Sequence, residues 1–367
     1  MRTRLPLFAG VFMIMALSNA IVPVLPSLAP GTALQGAIYA AYFLGAFILV
    51  LPAGFLADRI GEIPLIRAGL LFTCISGVLL SLPSSPMFIL AARIVEGVGA
   101  GLFVPASLAL LNSMPGHERQ SGYFMALMNL GLLVGLLFTG WLVPRWIGPY
   151  SGIVLFSVAS FVPLALSLGM NGKSHGRPEV TPETAEDTFA RMKAVFSSSF
   201  WLWVSAVVII GITGALTALH PEYSNLSPEI VSQEIAMMNL ATIAAVMITS
   251  HARLPPVPAI RAAAIAMAAG VVVTFFSVWG FLIIGWMAGM VMISQLAYLA
   301  NLSARQGVLM GLFNTASYGG MTLLPFLSGL IAQLAGFPAA FAALAVSALL
   351  VAATIGRCTC SVSVRSP

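Results

Sequence analysis

The chain has 367 residues, of which 59% are hydrophobic and only 7% are charged, with a formal net charge of +5. An average soluble domain carries about 25% charged residues, so this composition excludes a soluble globular protein for most of the chain. The positive charge lies in the short polar segments between apolar runs and gives no indication of nucleic-acid binding. The three cysteines do not indicate a disulfide framework.

Twelve apolar runs follow one another along the chain, each long enough for a helix that crosses about 30 Å of hydrocarbon. They must be helical, because lipid offers no hydrogen-bond partner to exposed backbone groups. Only Ser277 and Gly280 separate the ninth run from the tenth. We therefore predict an all-α integral membrane protein with twelve transmembrane helices. The runs cover residues 6–27, 34–56, 64–83, 86–111, 120–143, 148–170, 200–220, 229–250, 257–277, 279–300, 305–333 and 338–356.

The basic residues predict the orientation of these helices. With the N-terminus in the cytoplasm, Arg145 alone lies outside and Arg93 lies inside a membrane span. The other Lys and Arg residues fall on the cytoplasmic side, as the positive-inside rule requires. We therefore expect a multi-pass protein of the cell inner (plasma) membrane with both termini cytoplasmic. The cytoplasmic set is Arg2, Arg4, Arg59, Arg67, Arg119, Lys173, Arg177, Arg191, Lys193, Arg253, Arg261, Arg305, Arg357 and Arg365.

The two halves of the chain carry a weak internal repeat. Because six helices return the chain to its starting side, the two copies have the same orientation. We predict two parallel six-helix bundles, residues 1–170 and 200–367, joined by a cytoplasmic linker over 171–199. Within the linker, residues 184–196 have the spacing of an amphipathic helix, which either lies on the membrane surface or is a solvated connection. The repeated patterns are Arg119, Asn129 and Gly135 with Arg305, Asn314 and Gly320; Pro64–Ala68 with Pro258–Ala262; and Ala20 and Pro26 with Ala215 and Pro221.

A motif of charged residues and glycines ends the second run. It comprises Gly54, Leu56, Ala57, Asp58, Arg59 and Gly61. These residues resemble the loop signature of the major facilitator superfamily, Gly-x-Leu-Ala-Asp-Arg-x-Gly-Arg-Lys, although Glu62 and Ile63 replace the two final basic residues. The resemblance extends over the whole chain and implies transport by alternating access. It implies that Gly54, Asp58, Arg59 and Gly61 form a cytoplasmic gate, with Asp58 beside the N-terminus of the eleventh helix. The alternative is a loop whose charges only set the orientation.

Two charges lie inside the fourth run. A charge within lipid costs at least about 2.5–3.5 kcal/mol, so Arg93 must face the protein interior, where Glu96 lies one turn away and can pair with it. Arg93 with Gly97 resembles the Arg-x-x-x-Gly signature of the same superfamily. In proton-coupled relatives this arginine is linked to proton movement, which implies that Arg93 and Glu96 take part in coupling. A permanent structural ion pair is the alternative.

Glycines are regularly spaced along the fifth run. Gly122, Gly131, Gly135 and Gly140 resemble the signature of antiporters in the superfamily, although Leu136 replaces its proline and Thr139 one of its glycines. Small residues allow close helix approach, and we expect them to seal the cytoplasmic half. The resemblance favours antiport over symport or uniport.

Further polar residues fall inside the predicted spans. Glu234 lies about two turns into the eighth helix, where we expect an unpaired carboxylate that binds and releases protons. The alternative places it in an outer vestibule with Glu222 and Glu229. We also predict that a set of amide and hydroxyl side chains lines a substrate cavity, with interhelical hydrogen bonds as the competing interpretation. This set is Asn19, Asn129, Asn239, Gln295, Tyr298 and Asn314.

The sequence contains no nucleotide-binding loop, metal-site spacing or Ser/His/Asp arrangement. We therefore predict no enzyme activity, no cofactor and no metal site. The prediction is a secondary active transporter, monomeric in the bilayer, that exports small amphipathic or hydrophobic compounds in exchange for protons. The alternatives are a proton symporter or uniporter that takes up a small nutrient and, with less support, a membrane sensor without transport. No nucleic acid is expected as a partner.

Overall fold

The computed structural model describes residues 4–114, 117–170, 196–197, 199–252, 254–300 and 306–357. These residues are helical without a β-strand, and 12 of the helices are long and apolar enough to cross a membrane. The predicted fold class and number of spans are therefore confirmed. The helices are α1 (Arg4–Ala20, continued by Val22–Val24 and Leu25–Leu28), α2 (Thr32–Ile60), α3 (Glu62–Leu80), α4 (Pro86–Asn112), α5 (His117–Leu142), α6 (Ser151–Ala159 and Phe161–Leu168), α7 (Phe200–Ser224), α8 (Pro228–Thr249), α9 (Pro256–Phe276), α10 (Gly280–Ala300), α11 (Gln306–Ala335) and α12 (Phe337–Thr354).

Local sequence explains where several of these helices begin, end or break. Ser85 caps α4 by accepting a hydrogen bond from the Phe88 amide, and a proline follows at the first helical position, where no N–H is needed. α6 is interrupted at Ser160, because Pro163 cannot donate to the carbonyl four residues earlier. The short connection between α9 and α10 is confirmed, with Ser277 in an extended conformation.

The helices form two compact units. The first contains α1–α6 together with Ala215–Ala236 of α7 and α8 and Pro325–Gln333 of α11, and the second contains the remainder of the second half. Within the first unit, α2 and α3 both pack along α4, and α1 packs along α5. Within the second, α9 packs against α10 and α12. The division at 171–199 stays a prediction, and the amphipathic helix over 184–196 lies outside the described residues.

Glycine contacts support the internal repeat. A side-chain carbon at Gly135 of α5 would collide with the Ala16 carbonyl of α1. The matching Gly320 of α11 packs in the same way against the Val207 carbonyl of α7. The same pair of helices is therefore in close contact in each half.

Two matching arginines extend this equivalence. Arg67 of α3 donates to the carbonyls of Ser167, Leu168 and Met170 at 3.1, 3.2 and 2.8 Å. Arg261 of α9 donates to the Ala352 carbonyl at 3.1 Å. Each guanidinium thus binds carbonyls at the C-terminal end of the last helix of its half, where cations are favoured.

Candidate functional site

The predicted pair in α4 is present and sealed from solvent. Arg93 Nη1 lies 2.5 Å from Glu96 Oε2, and the two side chains are 1% and 0% exposed. Both residues lie on one face of one helical turn, so the contact needs no second helix to form. Arg93 therefore faces the protein interior, as its cost in lipid requires.

Close contact between α2 and α4 surrounds this pair. The Arg93 guanidinium lies over the Tyr42 ring, with its central carbon 4.8 Å from the ring centroid. Gly97 lies directly against the Tyr42 carbonyl, and Gly45 of α2 lies against the Ile94 carbonyl. The absence of side chains at these two glycines allows the ring to reach the cation.

Part of the hydrogen-bonding capacity of the pair is unused. Among the described residues, Nε and Nη2 of Arg93 and Oε1 of Glu96 have no hydrogen-bond partner. A buried polar atom without a partner costs about 1–3 kcal/mol. These three atoms are therefore available to bind a further polar group or a proton.

A second acid–base contact joins α7 and α8. His220 Nε2 lies 2.5 Å from Glu234 Oε2, and the side chains are 8% and 18% exposed. Glu234 lies two turns into α8, as predicted, but the expectation of an unpaired carboxylate is wrong because His220 contacts it. Sequence reasoning missed His220, although it is the only histidine inside any of the twelve predicted spans.

The N-terminal end of α2 bonds to α7 and α11 within the first unit. Gln35 donates to Glu222 Oε2 at 2.8 Å and to the Ala29 carbonyl at 3.0 Å. Thr32 donates to the Gly329 carbonyl at 2.8 Å. The Ala33 amide donates to Gln333 Oε1 at 3.2 Å. These contacts are called the α2 clasp below, and its members are Thr32, Ala33, Gln35, Glu222, Gly329 and Gln333.

The three acids of the predicted vestibule have separate partners. Glu222 belongs to the α2 clasp, and Glu234 contacts His220. Glu229 pairs with Arg145 at 3.2 Å, with side chains 34% and 43% exposed respectively. Each acid therefore has its own polar partner, and the alternative of an outer vestibule that contains all three stays a prediction.

The gate motif forms the last two turns of α2 and the link to α3. Gly61 is the single residue between the two helices, with a φ of 85°, a conformation that favours glycine. This geometry gives Gly61 a structural purpose of its own. Arg59 is exposed and, together with Leu51, Pro52 and Leu56, lines a cavity of ≈ 470 Å³. The surroundings of Gly54, the side chain of Asp58 and residues 301–305 lie outside the described part of the structure. The predicted gate contact between Asp58 and the N-terminus of α11 therefore stays a prediction.

The α5 glycines differ in what they contact. Gly131 and Gly135 lie against Phe12 and Ala16 of α1, and Gly140 lies against the first turns of α8. At Gly122, at the end predicted to be cytoplasmic, an added side-chain carbon would meet no other atom of the described residues within 4 Å. Close helix approach therefore occurs along the middle and the far end of α5, and the sealing of the cytoplasmic half by these glycines stays a prediction.

The predicted cavity residues differ in their surroundings. Asn19 donates to the Leu132 carbonyl at 2.9 Å, and the fully buried Gln295 donates to Ser205 Oγ at 2.9 Å. Both therefore form interhelical hydrogen bonds. Tyr298 is buried, Asn239 is half-buried, and Asn129 and Asn314 are exposed. Their contact with substrate stays a prediction.

Sequence comparisons identify the family. Residues 7–323 match the family model of the Major Facilitator Superfamily. The quinolone resistance protein NorA of Staphylococcus aureus is 26% identical over 136 residues, which are 35% of this chain and 35% of that protein. An uncharacterized MFS-type transporter of Mycobacterium tuberculosis is 33% identical over 144 residues, 37% of this chain and 25% of that protein. The chain therefore matches about a third or less of the length of these curated relatives.

Solved structures share the fold. The POT family transporter PepTSo superposes with a TM-score of 0.78 at 11% identity, covering 100% of this chain and 99% of that chain. The nucleoside transporter NupG gives a TM-score of 0.75 at 11% identity, covering 98% and 100%. A bacterial homolog of the human lysosomal transporter Spinster gives 0.77 at 14% identity, covering 97% and 96%. Such low identities show the fold alone, but the family match covers most of the chain, and the chain therefore belongs to the major facilitator superfamily.

Proposed function

We propose that this protein exports small amphipathic or hydrophobic compounds in exchange for protons. The observation that carries the proposal is the presence of two acid–base contacts, Arg93–Glu96 and His220–Glu234, among otherwise apolar helices. Ionisable side chains inside a membrane are costly and therefore mark functional positions by default. A carboxylate that has a basic partner can gain or lose a proton without leaving an isolated buried charge.

The proposed proton-coupling residues are Arg93, Glu96 and Glu234. Glu96 has one oxygen without a hydrogen-bond partner among the described residues, which gives a proton a place to bind. Protonation of that oxygen would weaken the attraction of Glu96 for Arg93 and free the guanidinium for another acceptor. Glu234 is partly exposed, which gives it access to protons from outside the helix bundle.

The proposed substrate class follows from charge. Arg93 is the only Lys or Arg that lies more than four residues inside a predicted span, because Arg67, Arg261 and Arg305 lie near span ends. Glu96 already pairs with Arg93. A strongly anionic substrate usually requires a basic clamp, so neutral or cationic amphipathic compounds suit the protein better. The likeness to NorA, whose name refers to quinolone resistance, supports efflux of such compounds.

The cytoplasmic gate and the cavity complete the proposal. We assign the gate to the motif Gly54–Gly61, on the side of the inner membrane that also holds both termini. Asn129, Asn239 and Asn314 remain the candidates for polar contact with substrate, since each retains some exposed surface.

Reconstituted protein tests this proposal directly. Liposomes with an acidic lumen and an internal pH dye are given candidate compounds from outside. Lumenal pH that rises as the compound enters indicates antiport. Lumenal acidification in vesicles without a pH gradient indicates symport instead, and saturable flux without any proton movement indicates a uniporter. Absence of flux for every amphipathic compound would contradict the proposal and leave uptake of a small nutrient, or the sensor, as the remaining candidates.

Two matched variants identify the coupling residue. Glu234→Gln removes a charge from α8 within the His220 contact, and Glu229→Gln removes one from the same helix within an exposed pair. We expect the first to lose at least about 90% of the flux driven by a pH gradient, since the proton-binding group is gone. The second should keep most of it. Full activity of Glu234→Gln would exclude Glu234 from coupling.

A further inference from the structure

The His220–Glu234 contact lies beside the α2 clasp. His220 and Glu222 are separated by Pro221, which lies inside α7. His220 contacts α8, whereas Glu222 accepts a hydrogen bond from Gln35 of α2. One short segment of α7 therefore carries both an acid–base contact and a contact of the clasp.

Pro221 makes this segment easier to deform. Proline cannot donate the N–H that continues the helical hydrogen bonds, and kinks occur at such positions. A change in the His220–Glu234 contact can therefore shift Glu222 without unwinding the rest of α7. This coupling needs only a local adjustment over three consecutive residues.

The strength of the contact depends on one proton. Histidine changes its charge between about pH 5 and 8 when unperturbed. An imidazolium bound to a carboxylate forms a charge-assisted hydrogen bond, roughly twice as strong as a neutral one. Loss of that proton leaves a neutral imidazole, and the attraction between α7 and α8 becomes weaker.

Other titratable and charged groups lie on the helices of the first unit, and most have partners of their own. Tyr39 of α2 forms a side-chain hydrogen bond with Thr217. Glu229 is paired with Arg145, and Glu96 with Arg93. Residues 325–333 of α11 contain no titratable side chain. They include Tyr39 and Tyr42 on α2, Arg93 and Glu96 on α4, Arg145 after α5, Glu222 and Tyr223 on α7, and Glu229 on α8.

We propose that His220 holds the coupled proton together with Glu234 and that this proton keeps the α2 clasp closed. The inference rests on the proposed proton exchange and adds His220 as a coupling residue and the clasp as the element it controls. The proton binds at Nε2 of a neutral imidazole and gives an imidazolium–carboxylate pair. When the proton leaves, the pair weakens, Glu222 is released from Gln35, and this end of the first unit opens.

The direction of the pH dependence follows. The closed clasp binds the proton more tightly than the open one, so acid favours closure and rising pH favours opening. A single linked proton changes the ratio of closed to open protein by up to about tenfold per pH unit. In an exchange cycle, the state loaded with a proton closes this end, and the state without it opens.

A distance measurement tests this inference without any substrate. Spin labels at Ser27→Cys and Ser227→Cys report on the clasp, because both residues are exposed at this end of the first unit. Cys358 and Cys360 are replaced by serine, and Cys74 is buried. The distance distribution is measured between pH 5.5 and 8.5 in lipid nanodiscs. We expect a growing long-distance population as the pH rises.

Three variants isolate His220. His220→Gln keeps a hydrogen-bond donor for Glu234 but does not titrate, and Glu234→Gln removes the acceptor charge. Both should give distributions that no longer change with pH. Glu229→Gln should keep the response of the parent protein, since its pair is exposed. Monodisperse elution of each variant verifies folding.

The outcomes separate this inference from the proposed function. The inference is overturned if the distance distribution of the parent protein does not change with pH. It is also overturned if His220→Gln keeps the same pH response as the parent. If liposomes show no proton exchange while the labels still respond to pH through His220, the proposed function fails and the proton-sensitive clasp stands. If His220→Gln exchanges protons like the parent, the coupling assigned to His220 is wrong and proton exchange itself stands.

Discussion

The two acid–base contacts of the first unit differ in how they can respond to motion. Arg93 and Glu96 lie on one turn of α4 and are almost completely buried. His220 and Glu234 lie on different helices and are partly exposed. A contact within one helix travels with that helix and survives any rigid movement. A contact between two helices is broken when they separate, so it can report on their position.

Their surroundings differ in the same way. Arg93 lies under the Tyr42 ring, at a place where Gly97 allows α2 and α4 to touch. His220 lies next to a proline and to the α2 clasp. The comparison therefore separates a buried ion pair within one helix from a contact between two helices, which we propose responds to their movement. Stability should depend on the first, and conformational equilibrium on the second.

The largest effect is expected from removal of Arg93. Arg93→Met leaves Glu96 buried without its partner, which typically costs about 3–5 kcal/mol. The double variant Arg93→Met/Glu96→Leu removes both charges, and replacement of a complete buried pair is often neutral or stabilising. We expect the single variant to melt far below the parent and the double variant to melt close to it, measured by thermal unfolding in detergent.

Transport by the double variant distinguishes a proton-coupling role of the Arg93–Glu96 pair from a structural one. If the pair couples protons, a stable double variant should not transport against a pH gradient. Proton-driven flux at the parent level would show instead that Arg93 and Glu96 form a structural ion pair. A double variant as unstable as the single one would contradict the assignment of the cost to an unpaired charge.

The next effect concerns the helix contact that supports Arg93. A side-chain carbon at Gly97 would overlap the Tyr42 carbonyl, so Gly97→Val must push α2 and α4 apart. Overpacking of this kind costs about 1–3 kcal/mol. Gly122→Ala is the control, since a side-chain carbon there would meet no other atom of the described residues within 4 Å. Alanine there should leave the melting temperature unchanged or raise it, and equal losses in both variants would refute the steric explanation.

The sequence predicts the parts of this comparison that depend on local spacing. Twelve spans follow from apolar length, and the Arg93–Glu96 pair follows from a separation of three residues on a helix. The contact of Arg67 with α6 could not be predicted in this way, because its acceptors are backbone carbonyls about a hundred residues later. Side-chain identity carries no information about such partners.

The same limitation explains the missed histidine. Glu234 could be placed in its helix from hydropathy, but its partner lies 14 residues earlier on another helix. Gln35 and Glu222 are 187 residues apart, and neither belongs to a recognisable motif. Contacts between helices depend on how the helices rotate and cross, which a single sequence does not specify. The His220–Glu234 contact and the α2 clasp therefore became evident only from the structure.

A smaller effect is expected from the clasp. Thr32 Oγ1 donates to the Gly329 carbonyl, and both groups are buried. Thr32→Val removes this bond at nearly constant volume, and a hydrogen bond contributes about 0.5–1.5 kcal/mol net. We expect the open population of the Ser27–Ser227 label pair to rise about fivefold at fixed pH. Thr242→Val is the control, since the Thr242 hydroxyl donates to the Met238 carbonyl of its own helix; an equal rise there would argue against the clasp.

The smallest effect is expected from the exposed pair at the same end of the unit. Arg145 and Glu229 are 43% and 34% exposed, and pairs of this kind contribute about 0–1 kcal/mol, less in high salt. Arg145→Gln should therefore change the open population less than Thr32→Val does. In 0.5 M salt, where charges are screened beyond about 4–5 Å, the difference between Arg145→Gln and the parent protein should disappear. The response to pH should persist, because His220 and Glu234 are untouched. A change that exceeds that of Thr32→Val would mean that surface charge, rather than the buried contacts, holds this end closed.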